Sequence, residues 1–321
     1  MRLRLPRGRR ASALDRGGAL IRKLIALAAL LLGAAAAPGT APRAFEQLRW
    51  TAPGAERALL SEQPATCMAG DDDMIRGGGA LFATPTLLGG QAAKAGLSCA
   101  SCHINGRDNP HFLLAGVSAG PGTADVTNSF FSAARGNALF DPVAIPDLAR
   151  PGKVSRDPET RALETFIRNL IVEEFGGQEP TPAMLDALAA YVRRIRPCPG
   201  EPRVVRRLDD QLAAIADGAA GARLMARRGD RQGVQLSIAA MRYQLGLVAE
   251  RYAGSVFARD RAALLAMSRE LQSIGEIADP RETRPALDRW KRDFDAGLAR
   301  RLRGAEVRSL YDPKRLDRTL R

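Results

Sequence analysis

The pentapeptide Cys99-Ala100-Ser101-Cys102-His103 constrains this chain more than any other stretch. Two thiols separated by two residues can add across the two vinyl groups of one porphyrin. The adjacent imidazole then falls beneath the metal as an axial ligand. The pattern predicts a covalently attached haem c, with Cys99 and Cys102 as the thioether residues and His103 as the proximal iron ligand. Two other readings of the same cysteines stand beside it. A zinc site needs about four Cys or His ligands, usually as a second close pair, and Cys67, His111 and Cys198 are scattered singly. A redox dithiol of thioredoxin type comes with alternating strands and helices, and no β pattern surrounds Cys99.

Thioether attachment takes place outside the cytoplasm, and the N-terminus has the matching form. A basic stretch ending in Arg22-Lys23 precedes an apolar run from Leu24 to Ala37 that closes on small residues. That is the organisation of a secretory signal peptide over residues 1–37. Its apolar core is shorter than the ~20 residues that span a bilayer. An exported, periplasmic protein is therefore expected.

Removing residues 1–37 changes the charge argument. They carry eight basic and one acidic side chains, a large part of the overall +13. Of the remainder, residues 38–200 sum to −2 and residues 201–321 to +8. A basic surface attracts acidic partners or anionic membranes, so membrane contact is expected only through an uncleaved signal or the basic tail. The cations there interleave with acids along helices, as on a solvated surface. Nucleic acid is not expected, because no basic motif is interleaved with aromatics.

Residues 38–200 and 201–321 read as two domains joined by the Pro- and Gly-rich stretch Arg196-Pro197-Cys198-Pro199-Gly200-Glu201-Pro202. The first half is read as loop-rich, with glycine runs at Gly77 to Gly79 and Gly89-Gly90. A helix is expected from Leu87 to Cys102 and another from Arg161 to Phe175, where apolar residues recur at helical spacing. Thr181-Pro182 caps and opens a further helix, with Met184, Leu188 and Val192 on one face. The tail holds four amphipathic stretches, Leu208 to Met225, Val234 to Tyr252, Arg261 to Ile274 and Arg284 to Leu302. They predict a helical bundle with Met225, Met241 and Met267 in its packing. The expected fold class is all-α, a cytochrome c-like haem domain followed by a C-terminal helical bundle.

Cys99 to His103 followed by Ile104-Asn105-Gly106 resembles the di-haem cytochrome c peroxidase superfamily, which includes the tryptophan-modifying di-haem enzymes. Gly79-Ala80-Leu81-Phe82 is similar to the segment before that family's first haem motif. Thr123 to Phe131 is loosely similar to its Asn-Thr-Pro-Ser-Leu-Asn-type stretch. The resemblance covers residues 75–197, and only the haem motif is specific. It implies an electron-transfer or peroxidase-like haem protein. Peroxidases of that family carry two haem motifs, and this chain has one. A self-contained di-haem peroxidase is thereby excluded, and a mono-haem electron carrier with a periplasmic redox partner is the expected function. The alternatives are a peroxidase-like enzyme or subunit of a multi-haem oxidoreductase, and a haem-based sensor or scaffold.

Family members often ligate the first haem with a second histidine a short loop downstream, a place His111 could fill. A surface histidine or a propionate partner is the other reading of that residue. Met184 is a weaker distal candidate on a helix face that reads as core; Met68 and Met74, before the motif, are weaker still. Cys67 and Cys198 remain once the haem has claimed its cysteines. Leftover thiols in an oxidising compartment tend to pair, and the first and last helices of cytochrome c domains pack together. A disulfide between them would close a loop of about 130 residues and stabilise by roughly 3–5 kcal/mol; two independent buried thiols are the other reading. Asp71-Asp72-Asp73 has ligands suited to calcium but reads as a solvated acidic turn. The glycine runs lack phosphate-loop spacing.

Overall fold

A computed structural model describes residues 45–321, apart from 133, 135, 201 and 202. The expected signal segment, 1–37, lies outside the described residues. The described chain is mostly helical. Its α-helices are α1 (Glu56–Ser61), α2 (Asp73–Phe82), α3 (Pro85–Leu88), α4 (Gly90–Lys94), α5 (Cys99–Cys102), α6 (Ala162–Asn169) and α7 (Pro182–Arg194). The tail contributes α8 (Leu208–Arg227), α9 (Arg231–Arg251), α10 (Ala258–Glu276), α11 (Pro280–Phe294), α12 (Arg300–Ala305) and α13 (Pro313–Leu320). Among the described residues no helix is long and apolar enough to cross a membrane.

Three short antiparallel pairs fasten the loops. Strand β1 (Glu62–Pro64) pairs with β6 (Arg203–Val205), β2 (Cys67–Met68) with β5 (Ile195–Arg196), and β3 (Thr123–Ala124) with β4 (Val143–Ala144). The Pro- and Gly-rich stretch after α7 is tied down on both sides by β5 and β6. Between them Cys198 is disulfide-bonded to Cys67, with Cα atoms 5.3 Å apart.

Gly77 to Gly79 lie inside α2, not in a loop as their composition suggested. Glycine is a poor helix former, and the compensation is tertiary. A Cβ on Gly78 would stand 1.9 Å from the Ala187 carbonyl oxygen of α7, and one on Gly77 would stand 2.8 Å from Gly221 Cα of α8. The absent side chains let α2 seat against α7 and α8 at backbone contact. Asp72 caps the start of α2, accepting from the backbone N–H groups of Met74 and Ile75 at 2.9 Å each.

The single helix expected from Leu87 to Cys102 is three short ones. Gly89 at φ 66° and Gly96 at φ 75° break it, in the left-handed region that glycine enters without steric cost. The expected Arg161–Phe175 helix starts at Ala162 and loosens into a π turn at Leu170–Glu174. α7 forms as expected, with the Thr181 hydroxyl accepting from Met184 N at 3.2 Å.

The hydrophobic core crosses residue 200 without a break, joining Leu81 of α2 and Leu188 of α7 to Ile215 of α8 and Met241 of α9. A smaller cluster of Phe45, Leu60, Leu310 and Leu316 brings α13 onto α1. Buried Arg251 stitches this corner. Its guanidinium donates to the Leu60 and Leu310 carbonyls at 2.7 and 3.2 Å and lies over the Phe45 and Tyr311 rings.

Candidate functional site

The motif sits on the one-turn helix α5. Cys99 and Cys102, three residues apart, share a face of that turn, and both carry free thiols packed against the core. The Ser101 hydroxyl accepts from Ser98 N at 3.0 Å, securing the helix start. Beyond His103 the chain reverses through Asn105 at φ 52° and Gly106 at φ 74°. Asn105 fits this conformation because its amide donates to the Pro64 carbonyl at 2.9 Å. Gly106 has no alternative: a Cβ there would lie 2.3 Å from Ile195 Cδ1.

Burial pushes both thiols up to about 12, the Cys102 group with a further push from Cys99. Burial thus favours their neutral thiol forms in the free chain. Among the described residues there is also no cluster of three or more His, Cys, Asp or Glu able to hold a metal ion. A zinc site of the usual ligand number is thus not assembled around the motif among the described residues.

His103 is oriented from behind. Its Nδ1 lies 3.0 Å from the Pro146 carbonyl oxygen. A carbonyl only accepts, so Nδ1 carries the proton and Nε2 keeps its lone pair. This is the arrangement by which proteins present a histidine to a metal. Burial lowers the imidazole pKa to about 4, with the Pro146 hydrogen bond and the charges of Asp108 and Asp147 opposing it. The ring is neutral at physiological pH. Its side wall is Phe82, 6.3 Å away between centroids, itself packed on Tyr191 at 5.1 Å.

The Pro146 carbonyl is held by a clamp that the sequence did not reveal. Arg107, four residues after His103, forms two hydrogen bonds of 2.7 Å to the carboxylate of Asp147. Leu148 N donates to the Gly106 carbonyl at 3.0 Å. The segment returning from residue 146 is thus fixed to the turn that ends the motif. For Asp147, burial raises the pKa, but the Arg107 pair and the Ala149 N–H outweigh it and hold the carboxyl below its ordinary value.

His111 is half-buried; its backbone N–H donates to Asn109 and its carbonyl accepts from Ala52. Burial and the nearby Arg203 charge lower its pKa. Its neighbours are not those of His103. Met184 is fully buried in the core at the start of α7. Met68 lies in β2, and Met74 packs against the core from α2. The acidic turn is spent on structure: Asp72 caps α2, Asp73 pairs with Arg227 at 2.7 Å, and Asp71 lies 3.8 Å from Arg76.

Two features frame the motif. A cavity of about 460 Å³ lies between α5 and the tail, walled by Ala100 and Ser101 on one side and by Asp217 and Gln244 on the other. Neither motif cysteine lines it, nor does His103. From Arg107 to Arg161 the chain holds little regular structure, and Phe130, Leu139, Phe140 and Val143 are exposed along it. Long loops of this kind are uncommon without a functional role. The free thiols of Cys99 and Cys102 and the imidazole oriented through Nδ1 are the groups that would hold a haem c.

Compared with known protein families, curated proteins and solved structures, the chain matches none of them.

Proposed function

We propose that this protein is an exported mono-haem c-type cytochrome that passes single electrons to or from another periplasmic redox protein. In this reading residues 38–200 are a cytochrome c-like haem domain and residues 201–321 a C-terminal helical bundle. Cys99 and Cys102 hold the cofactor through thioethers, and His103 ligates its iron through Nε2. Bound there, haem c supplies a one-electron iron couple. The observation that carries the reading is the His103 Nδ1 to Pro146 carbonyl contact of 3.0 Å, immediately after two free thiols at attachment spacing. The Arg107–Asp147 clamp holds that carbonyl in place. Phe82 lies to one side of the imidazole with Tyr191 packed behind it.

The test is production with haem-maturation machinery, a haem stain after denaturing electrophoresis, and optical spectra of the oxidised, reduced and carbon monoxide-treated protein. Covalent haem with a low-spin spectrum unmoved by carbon monoxide is the expected outcome. Loss of the stain in Cys99→Ser and Cys102→Ser variants should follow. A high-spin spectrum that shifts with carbon monoxide would move the peroxidase-like reading ahead. Absence of covalent haem would overturn the proposal.

A further inference from the structure

The C-terminal corner of the fold presents a different chemistry. An open pocket of about 410 Å³ lies between residues 253–257, ahead of α10, and residues 308–319, which run into α13. Three arginines line it, Arg308, Arg315 and Arg318, and among the described residues no aspartate or glutamate does. Some other tail cations are matched: Arg301 pairs with Asp260 and Arg303 with Asp209, at 2.7 Å each. The carboxylates of α13 and its cap are committed elsewhere. Asp317 pairs with Arg57 at 2.8 Å, and Asp312 accepts from Arg315 N at 2.9 Å to start the helix.

Among the described residues none of the three pocket guanidiniums is in an ion pair. Arg308 lies over the Phe257 ring at 6.0 Å, and Arg318 Nε donates only to the Lys314 carbonyl. The Ser309 and Thr319 hydroxyls donate to the carbonyls of Glu306 and Arg315. Recognition therefore falls to the guanidiniums. Guanidinium is the side-chain group best matched to phosphate oxygens, because its planar fork can donate two bonds at once.

Val256 lines the pocket, and Val307 directly precedes the lining residue Arg308. The two valines are 70 % and 75 % exposed. Free phosphate gains nothing from exposed valines. A bilayer does, since stable surface attachment combines cation–headgroup attraction with insertion of apolar side chains. The +8 balance of residues 201–321 adds long-range attraction of the same sign.

We infer that this corner docks on an anionic phospholipid surface, with a headgroup phosphate among Arg308, Arg315 and Arg318 and with Val256 and Val307 entering the interface. The inference stands whether or not the chain carries haem.

The experiment is sedimentation of the chain lacking residues 1–37 with vesicles of phosphatidylglycerol and phosphatidylcholine in equal parts, or of phosphatidylcholine alone. Each arginine near an anionic surface is worth about fivefold in partitioning, so R308Q/R315Q/R318Q should weaken binding by about 100-fold. V256S/V307S should weaken it by about tenfold. A charge-matched control, R281Q/R284Q/R289Q on α11, should change it by no more than a few-fold. Circular dichroism verifies that each variant folds. Equal binding to both vesicles, or an equal loss in the control, would overturn the proposal. Displacement from the vesicles by inorganic phosphate, with the valine variant unaffected, would also overturn it and assign the pocket to free phosphate.

Discussion

Replacing Gly78 with alanine tests the packing on which the whole arrangement rests. Inside a helix the change alone should stabilise by roughly 1 kcal/mol, because glycine is the costlier residue there. In this structure the new Cβ would meet the Ala187 carbonyl oxygen at 1.9 Å and its carbon at 2.6 Å, with Tyr191 Cβ at 2.9 Å. Two of those atoms are backbone and cannot rotate aside. Relief requires α7 to move away from α2 by more than an ångström, an overpacking cost of about 3 kcal/mol or more. The net expectation is destabilisation by about 2–3 kcal/mol, a fall in melting temperature of about 5 °C. Gly246 supplies the opposite case. It lies inside α9 with nothing within 4 Å of its would-be Cβ, so Gly246→Ala should gain roughly 0.5–1 kcal/mol. Gly79→Ala should fall between them, since the nearest atom, at 3.1 Å, belongs to the Tyr191 side chain rather than to backbone. Urea denaturation of the three variants gives the order directly. A Gly78→Ala protein as stable as the parent would refute the argument for close helix approach.

Three further outcomes are expected. Cys67→Ser/Cys198→Ser frees a constraint spanning 131 residues, worth about 5 kcal/mol in the chain-entropy model; the strand pairs remain, so urea titration should show a loss of no more than that. Glu250, raised to about 7 mainly by burial, holds its proton in the folded state where the unfolded chain has released it. Stability from this group is therefore full below about pH 4.5 and declines as pH rises towards 7, by on the order of 2–3 kcal/mol. Glu250→Gln should flatten that decline, and melting curves from pH 5 to 8 that run parallel for both proteins would reject it. Arg107→Gln should cost about 1 kcal/mol, since the pair is largely buried. In the haem-loaded protein it should also raise the midpoint potential, because a loosened Pro146 carbonyl makes His103 a weaker donor; an unchanged titration would count against the clamp.

The motif and the amphipathic tail were legible because each is a local property. Thiol spacing decides whether one turn can bring two sulfurs to a face, and apolar periodicity decides which side of Leu208–Arg227 or Arg231–Arg251 is buried. The two cysteines outside the motif left a disulfide or two separate thiols open to the sequence, and the fold brings Cys67 and Cys198 together. Gly77 to Gly79 misled for the same reason that local readings succeed: composition alone marks a loop, and only the partners α7 and α8 turn three missing side chains into a packing surface. The helix expected across Leu87 to Cys102 failed at Gly89, where close approach to Gly177, distant in sequence, requires the break.

The sequence by itself determined that two thiols and an imidazole share one turn and that the chain is mostly helical. Tertiary structure decided which atom of His103 is free to bind. That choice belongs to a carbonyl 43 residues away, held in place by Arg107 and Asp147. It also gathered Arg308, Arg315 and Arg318 around one pocket with no ion pair among the described residues. Covalent spacing is written along the chain; hydrogen-bond direction and clustered charge arise only where distant segments meet.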